Sequence, residues 1–231
     1  MNKMVKWGLS ALLAFTLSGQ ALAAFTVSGT RFIYEEGKKN ISFEVTNNAS
    51  DTYGGQVWVD NVSEGSGVYM VPTPPFFKVS PKQKQIVRIM KTDGGALPSN
   101  RESLFWLNIQ EIPPKPKDEK NVLSVAINTR VKLFYRPKAL AAGRKGAEKN
   151  IEVIRRDGAT YLKNPTPYYF AVTGVKADGK AVTLSDDESR KLSILAPSGE
   201  AAVSKIPAGT KSISVQAIND WGGVEDYVLK G

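Results

Sequence analysis

The sequence predicts an all-β protein of two sandwich domains, and three observations point there. Short runs that alternate apolar and polar residues recur along the chain, separated by Gly, Pro, Asn and Asp turn signals, as in antiparallel sandwiches. No stretch sustains the 3.6-residue apolar period of an amphipathic helix, so almost no helix is expected. Residues 138–150 (KALAAGRKGAEKN) are small, basic and without apolar periodicity, and they divide the strand-like runs into two sets.

In the first set, residues 31–34 precede Glu35-Glu36-Gly37, and 40–46 (NISFEVT) alternate and end in Asn47-Asn48. Residues 56–62 (QVWVDNV) run toward Gly65-Ser66-Gly67, and 76–79 stop at Ser80-Pro81. Residues 85–91 (QIVRIMK) meet Asp93-Gly94-Gly95, and 103–110 (SLFWLNIQ) lead into a proline-rich loop. Residues 121–137 (NVLSVAINTRVKLFYRP) form the longest run. Leu123, Val125, Ile127, Thr129, Val131, Leu133 and Tyr135 make an apolar row, and Ser124, Asn128, Arg130, Lys132 and Arg136 lie on the other face. Typical strands span about 5–6 residues, so two readings stand: the whole row is core, or part of it serves a partner. In the second set, strand-like runs fall at 151–155, 160–163, 168–175, 181–184, 191–195, 212–218 and 227–229.

Residues 1–23 read as an export leader, with Lys3 and Lys6 before a short apolar stretch at 8–17 and a small-x-small site at Ala21-Leu22-Ala23. The apolar stretch falls short of the roughly 20 residues that span a membrane, so the chain is expected to be exported, without membrane insertion, and to begin at Ala24. Expected domains are 24–142 and 143–231. The whole chain carries +9, of which the two leader lysines supply two, leaving +7. Export and dispersed basic residues argue against nucleic acid as a partner.

The chain has no cysteine and no histidine. Disulfides, Ser-His-Asp and Cys-His catalysis, and zinc sites built on His or Cys are therefore excluded. Carboxylate-pair hydrolysis and Ser-Lys chemistry survive on composition but have no supporting motif, so no catalytic residue, metal or cofactor is expected. The sequons at Asn40, Asn48 and Asn61 and the mixed-charge stretch 115–120 read as ordinary surface.

Several segments together resemble the PapD-like periplasmic chaperones of the chaperone/usher pathway. They are Gly29-Thr30-Arg31-Phe32-Ile33-Tyr34, residues 101–114 (RESLFWLNIQEIPP), residues 121–123 (NVL), residues 132–137 (KLFYRP), residues 164–169 (NPTPYY), Leu195-Ala196-Pro197 and residues 218–223 (INDWGG). The resemblance spans essentially the whole chain after residue 23 and rests on the order and spacing of the segments. It implies two immunoglobulin-like domains in a boomerang arrangement. It also implies a chaperone that lends its long strand to pilin subunits, which lack the last strand of their own sandwich, and passes them to an outer-membrane usher.

By that resemblance Leu123, Val125 and Ile127 are the plugs of the donor strand, and Arg31 and Lys132 anchor the subunit's C-terminal carboxylate. Glu102, Arg136 and Asp220 form a charge trio between the domains. The short loop after Gln110 is similar to the subtype that serves rod-like pili, and self-capping of the free protein through the donor edge is expected. Two rivals remain: an exported two-domain adhesion or receptor-binding sandwich, which needs no paired Arg31 and Lys132, and a glycosidase, for which no facing pair of acids is visible.

Overall fold

A computed structural model describes residues 23–116 and 123–230. All but the last residue of the expected leader, and most of the 115–120 stretch, lie outside those ranges. The first domain contains β1 (Phe25–Val27), β2 (Arg31–Glu35), β3 (Ile41–Asn47), β4 (Tyr53–Asn61), β5 (Met70–Thr73), β6 (Phe76–Val79), β7 (Lys84–Lys91), β8 (Ser103–Ile112) and β9 (Asn128–Arg136). They make a four-stranded sheet in the order β1-β3-β7-β5 and a five-stranded sheet in the order β2-β9-β8-β4-β6.

Between β1 and β2 the chain changes sheets. β1 pairs with β3, whereas β2 runs parallel to β9 and sets Arg31 opposite Lys132. The period-2 pattern holds on the central strands. Phe105, Leu107 and Ile109 of β8 and Val131, Leu133 and Tyr135 of β9 turn into the sandwich, meeting Val45, Val87 and Ile89 from the other sheet.

The second domain contains β10 (Glu152–Arg156), β11 (Ala159–Lys163), β12 (Val172–Ala177), β13 (Lys180–Ala181), helix α1 (Asp186–Ser193), β14 (Glu200–Val203), β15 (Ile213–Ile218) and β16 (Val224–Val228). Its sheets run β10-β11-β14 and β13-β12-β15-β16 around a separate core that includes Leu162, Phe170, Val175, Leu192 and Val215. No helix among the described residues is long and apolar enough to cross a membrane.

Three expectations are corrected. Residues 191–195 are expected as a strand; instead residues 191–193 end helix α1, and Leu195 makes an isolated bridge to Phe170. Ser185 caps that helix, accepting from the Glu188 amide while the Glu188 carboxylate accepts from the Ser185 amide at 2.8 Å. Asp186, Asp187 and Glu188 at its start and Arg190 and Lys191 at its end suit the helix dipole. Leu192 is its only apolar residue and is buried, so the helix carries no apolar period.

The long strand starts at Asn128, not at 121. β8 pairs with β9 as far as Gln110 and Asn128, and beyond that the Glu111 amide alone reaches the Ile127 carbonyl, at 3.0 Å. The prolines at 113, 114 and 116 offer no amide to continue the ladder. The stretch 138–150, expected as a plain connection, forms two 3-10 turns at Lys138–Leu140 and Ala147–Asn150 and buries Arg144, Ala147 and Glu148.

Candidate functional site

The residues singled out by the sequence gather along β9 and the junction it makes with the second domain. The apolar row splits in two. Leu123, Val125 and Ile127 are 87%, 59% and 41% exposed, whereas Leu133, further along the same row, is fully buried. The outward stretch is thus surplus to the core. Three neighbouring apolar side chains left in water form a surface that a monomer ordinarily covers.

The other row of β9 faces the second domain. Arg31 and Lys132 sit side by side because β2 and β9 are parallel and in register. Arg31 Nη1 donates to the Ile218 carbonyl at 2.7 Å, and its guanidinium lies 5.9 Å from the Phe134 ring centroid. Lys132 Nζ donates to the Ser193 carbonyl at 2.5 Å, at the C-terminal end of α1, and lies 5.9 Å from the Trp106 ring. That helix end carries partial negative charge and unpaired carbonyls, so it suits a cation.

Among the described residues neither cation forms an ion pair with a carboxylate, and the buried Arg31 Nε has no hydrogen-bond partner. Burial lowers the pKa of both groups; the neighbouring Arg31 charge adds to that on Lys132, which is brought down to about 8. The pair is a positive site held by neutral carbonyls and ring faces. An arginine fork beside a lysine point charge matches a carboxylate.

Further along the same face, Arg136 joins the domains. Its Nε donates to Glu102 Oε1 at 2.6 Å, and Nη1 and Nη2 reach the two Asp220 oxygens at 2.6 and 3.0 Å. Glu102 is fully buried, and its other oxygen accepts from the Tyr169 amide at 2.9 Å. Burial works to raise the Asp220 pKa, but the hydrogen bond and charge of Arg136 outweigh it and hold the carboxyl below its ordinary range. Leu104 and Phe134 of the first domain pack with Tyr169 of the second into a small apolar cluster beside the network.

The structure brings these three residues together and extends the network. Buried Arg144 is held by Glu148 through two hydrogen bonds of 3.0 and 2.8 Å, and its Nε lies 3.6 Å from Asp220 Oδ1. Its guanidinium also lies 5.7 and 5.4 Å from the rings of Tyr168 and Phe170. The opposite charges four residues apart were the available signal, in a segment without apolar period. Trp106, flanked by Arg130 at 4.6 Å and by Lys132, was missed as well.

Comparison with known proteins follows the same outline. The family described as pili and flagellar-assembly chaperone, PapD N-terminal domain, matches residues 24–141, and that described as pili assembly chaperone PapD, C-terminal domain, matches 146–229. The chain is 45% identical to the chaperone protein FanE of Escherichia coli over 231 residues, covering 100% of this chain and 99% of the relative. The crystal structure of the periplasmic chaperone SfaE superposes with a TM-score of 0.71 at 33% identity, covering 90% of this chain and 100% of that one. A chain from the complex of the Salmonella enterica SafA pilin with the SafB chaperone gives a TM-score of 0.74 at 25% identity, covering 90% and 96%. This chain belongs to the family of pilus-assembly chaperones built from PapD N- and C-terminal domains.

Proposed function

We propose that the protein is a non-enzymatic periplasmic chaperone that captures pilin subunits by donor-strand complementation and delivers them to an outer-membrane usher. The observation that carries this reading is the split apolar row: Leu133 is sealed in the core while Leu123, Val125 and Ile127 stand in solvent on the same line. A subunit lacking one strand offers the complement, an unpaired edge and an open groove. Each plug that enters the groove contributes roughly 1.5–3 kcal/mol before ordering costs.

Arg31 and Lys132 take the subunit's C-terminal carboxylate and so set the register. A slip of one residue would turn every plug away from the groove. Glu102, Arg136 and Asp220 fix the angle between the domains, which we place at 24–142 and 143–231. The leader is removed after Ala23 on export, and in the free protein the donor edge is masked by a second copy. The SafA–SafB complex, a chaperone with a bound pilin, is consistent with this reading of a related chain.

The test is co-purification from periplasm with the pilin encoded nearby. Arg31→Ala and Lys132→Ala should fold normally by circular dichroism and recover no pilin. A folded Arg31→Ala or Lys132→Ala protein that still protects the pilin from degradation overturns the anchor.

A further inference from the structure

Glu111 points inward from β8 and is 5% exposed. Its Oε2 accepts one hydrogen bond, from the Phe25 amide at 3.0 Å. No ion pair to it forms among the described residues. Next to it Ala24 and Phe25 are buried in the first core, and the Ala24 carbonyl accepts from the Asn48 amide at 2.7 Å. A carboxylate this buried calls for a cation or several donors. One backbone amide falls short of that.

The missing charge lies one residue away in sequence. We propose that Glu111 is the receptor for the N-terminus of the processed chain, pairing with the α-ammonium of Ala24. This rests on the reading that the leader is removed after Ala23. Hydrolysis of the Ala23–Ala24 bond adds one water, leaving a carboxylate on Ala23 and an ammonium on Ala24. In the precursor the same nitrogen is a neutral amide and cannot supply the charge.

The placement has a consequence for the donor segment. The backbone amide of Glu111 holds the Ile127 carbonyl at 3.0 Å while its side chain holds the start of β1. One residue therefore ties both the new N-terminus and the root of the plug row to the end of β8. These two hydrogen bonds are in place in the uncleaved chain, and the ion pair adds to the clamp only after cleavage, so the donor segment is held more firmly in the processed chain than in the precursor.

The experiment begins with intact mass and N-terminal sequencing of protein recovered from periplasm. The α-amine is then acetylated with limiting acetic anhydride at neutral pH and followed by mass spectrometry. Three proteins are compared: wild type, Glu111→Gln, and a chain with Ser-Gly inserted between Ala23 and Ala24, which moves the ammonium away without touching Glu111. The expected first residue of wild type is Ala24. Its α-amine should react about tenfold more slowly than in either variant, since a rise of one pKa unit removes nine-tenths of the free amine. Equal rates in wild type and Glu111→Gln, with Ala24 first, overturn the pairing and leave the processing reading intact. Should Glu111→Gln not fold, equal rates in wild type and the insertion variant overturn it in the same way. A first residue other than Ala24 overturns the processing reading and the pairing with it.

Discussion

Replacing Ile127 with aspartate separates a plug from a core residue, because the two roles predict opposite costs. More than half of the Ile127 side chain is already covered in the free protein, which leaves it 41% exposed. Full burial of such a side chain is worth about 1.5–3 kcal/mol, so its removal should destabilise the first domain by no more than about 1–2 kcal/mol. That corresponds to a drop of roughly 3–10 °C in melting temperature. Leu133→Asp is the internal control, since its side chain is fully buried and an unpaired carboxylate there should prevent folding.

Capture of a pilin should respond in the reverse proportion. Ile127→Asp removes the plug and drives a charge into an apolar groove, a loss of at least about 3 kcal/mol, or more than a hundredfold in affinity. The assay pairs a circular dichroism melt with titration of a purified pilin. An Ile127→Asp protein that fails to fold, as Leu133→Asp does, would place Ile127 in the core. A protein that folds and binds the pilin within about threefold of wild type would remove Ile127 from the plugs.

Two further outcomes follow from the charged groups. Arg136→Met leaves Glu102 buried without a cation, and breaking one side of such a pair costs about 3–5 kcal/mol; small-angle scattering should show a broader spread of domain orientations and the melt should fall, and an unchanged profile with unchanged melting would reduce the network to decoration. Lys132 should make both stability and capture depend on alkaline pH. Its pKa is depressed in the folded protein, to about 8 from 10.5, so between these values the unfolded chain holds the proton and the folded chain does not, and stability of the free protein rises with pH across that window. A bound carboxylate favours the charged form and reverses the shift, so pilin affinity should be level below about pH 8 and fall above it. Lys132→Met should flatten the melting trend, and parallel profiles for wild type and Lys132→Met would refute the assignment.

Much of the site was legible because β9 is a strand whose faces are set by a period of two. Val131 and Leu133 on one face and Lys132 and Arg136 on the other follow from alternation alone. Knowing that Arg31 lies beside Lys132 needed more, because the parallel β2–β9 pairing is non-local and no turn in the sequence announces it. The strand's start was misread because alternation continues through Leu123, Val125 and Ile127 although the ladder does not. Hydrogen bonding needs a partner strand, and β8 runs out at Ile112, before the prolines. Helix α1 was misread for the opposite reason: its Ser185 and Glu188 capping pair is explicit, but a short helix needs little apolar face to reveal it. Arg144 and Glu148 lie in the stretch 138–150, which reads as a plain connection. They are buried because Tyr168, Phe170 and Asp220 arrive from distant parts of the chain to cover and pair them.

The proposed anchor and plugs share a physical property that bears on the proposed capture. In the free protein the cations lack a paired carboxylate and the apolar side chains lack cover. Among the described residues Arg31 and Lys132 stand together without an ion pair to a carboxylate; their direct contacts are the carbonyls of Ile218 and Ser193 and ring faces, while the charges of Asp220, Glu148 and Glu102 act on Arg31 through space. Leu123, Val125 and Ile127 stand without a groove. A permanent salt bridge at the anchor would stabilise the free chain, but an incoming carboxylate would first have to displace it. The network at Arg136 shows that this fold can satisfy a buried arginine with acids. Keeping such acids out of direct contact with Arg31 and Lys132 would leave the free protein less stable by an amount that the proposed binding of a carboxylate would recover. On the proposed reading the anchor is preorganised for a carboxylate, and fewer contacts would have to be broken before capture than at a site closed by its own side chains.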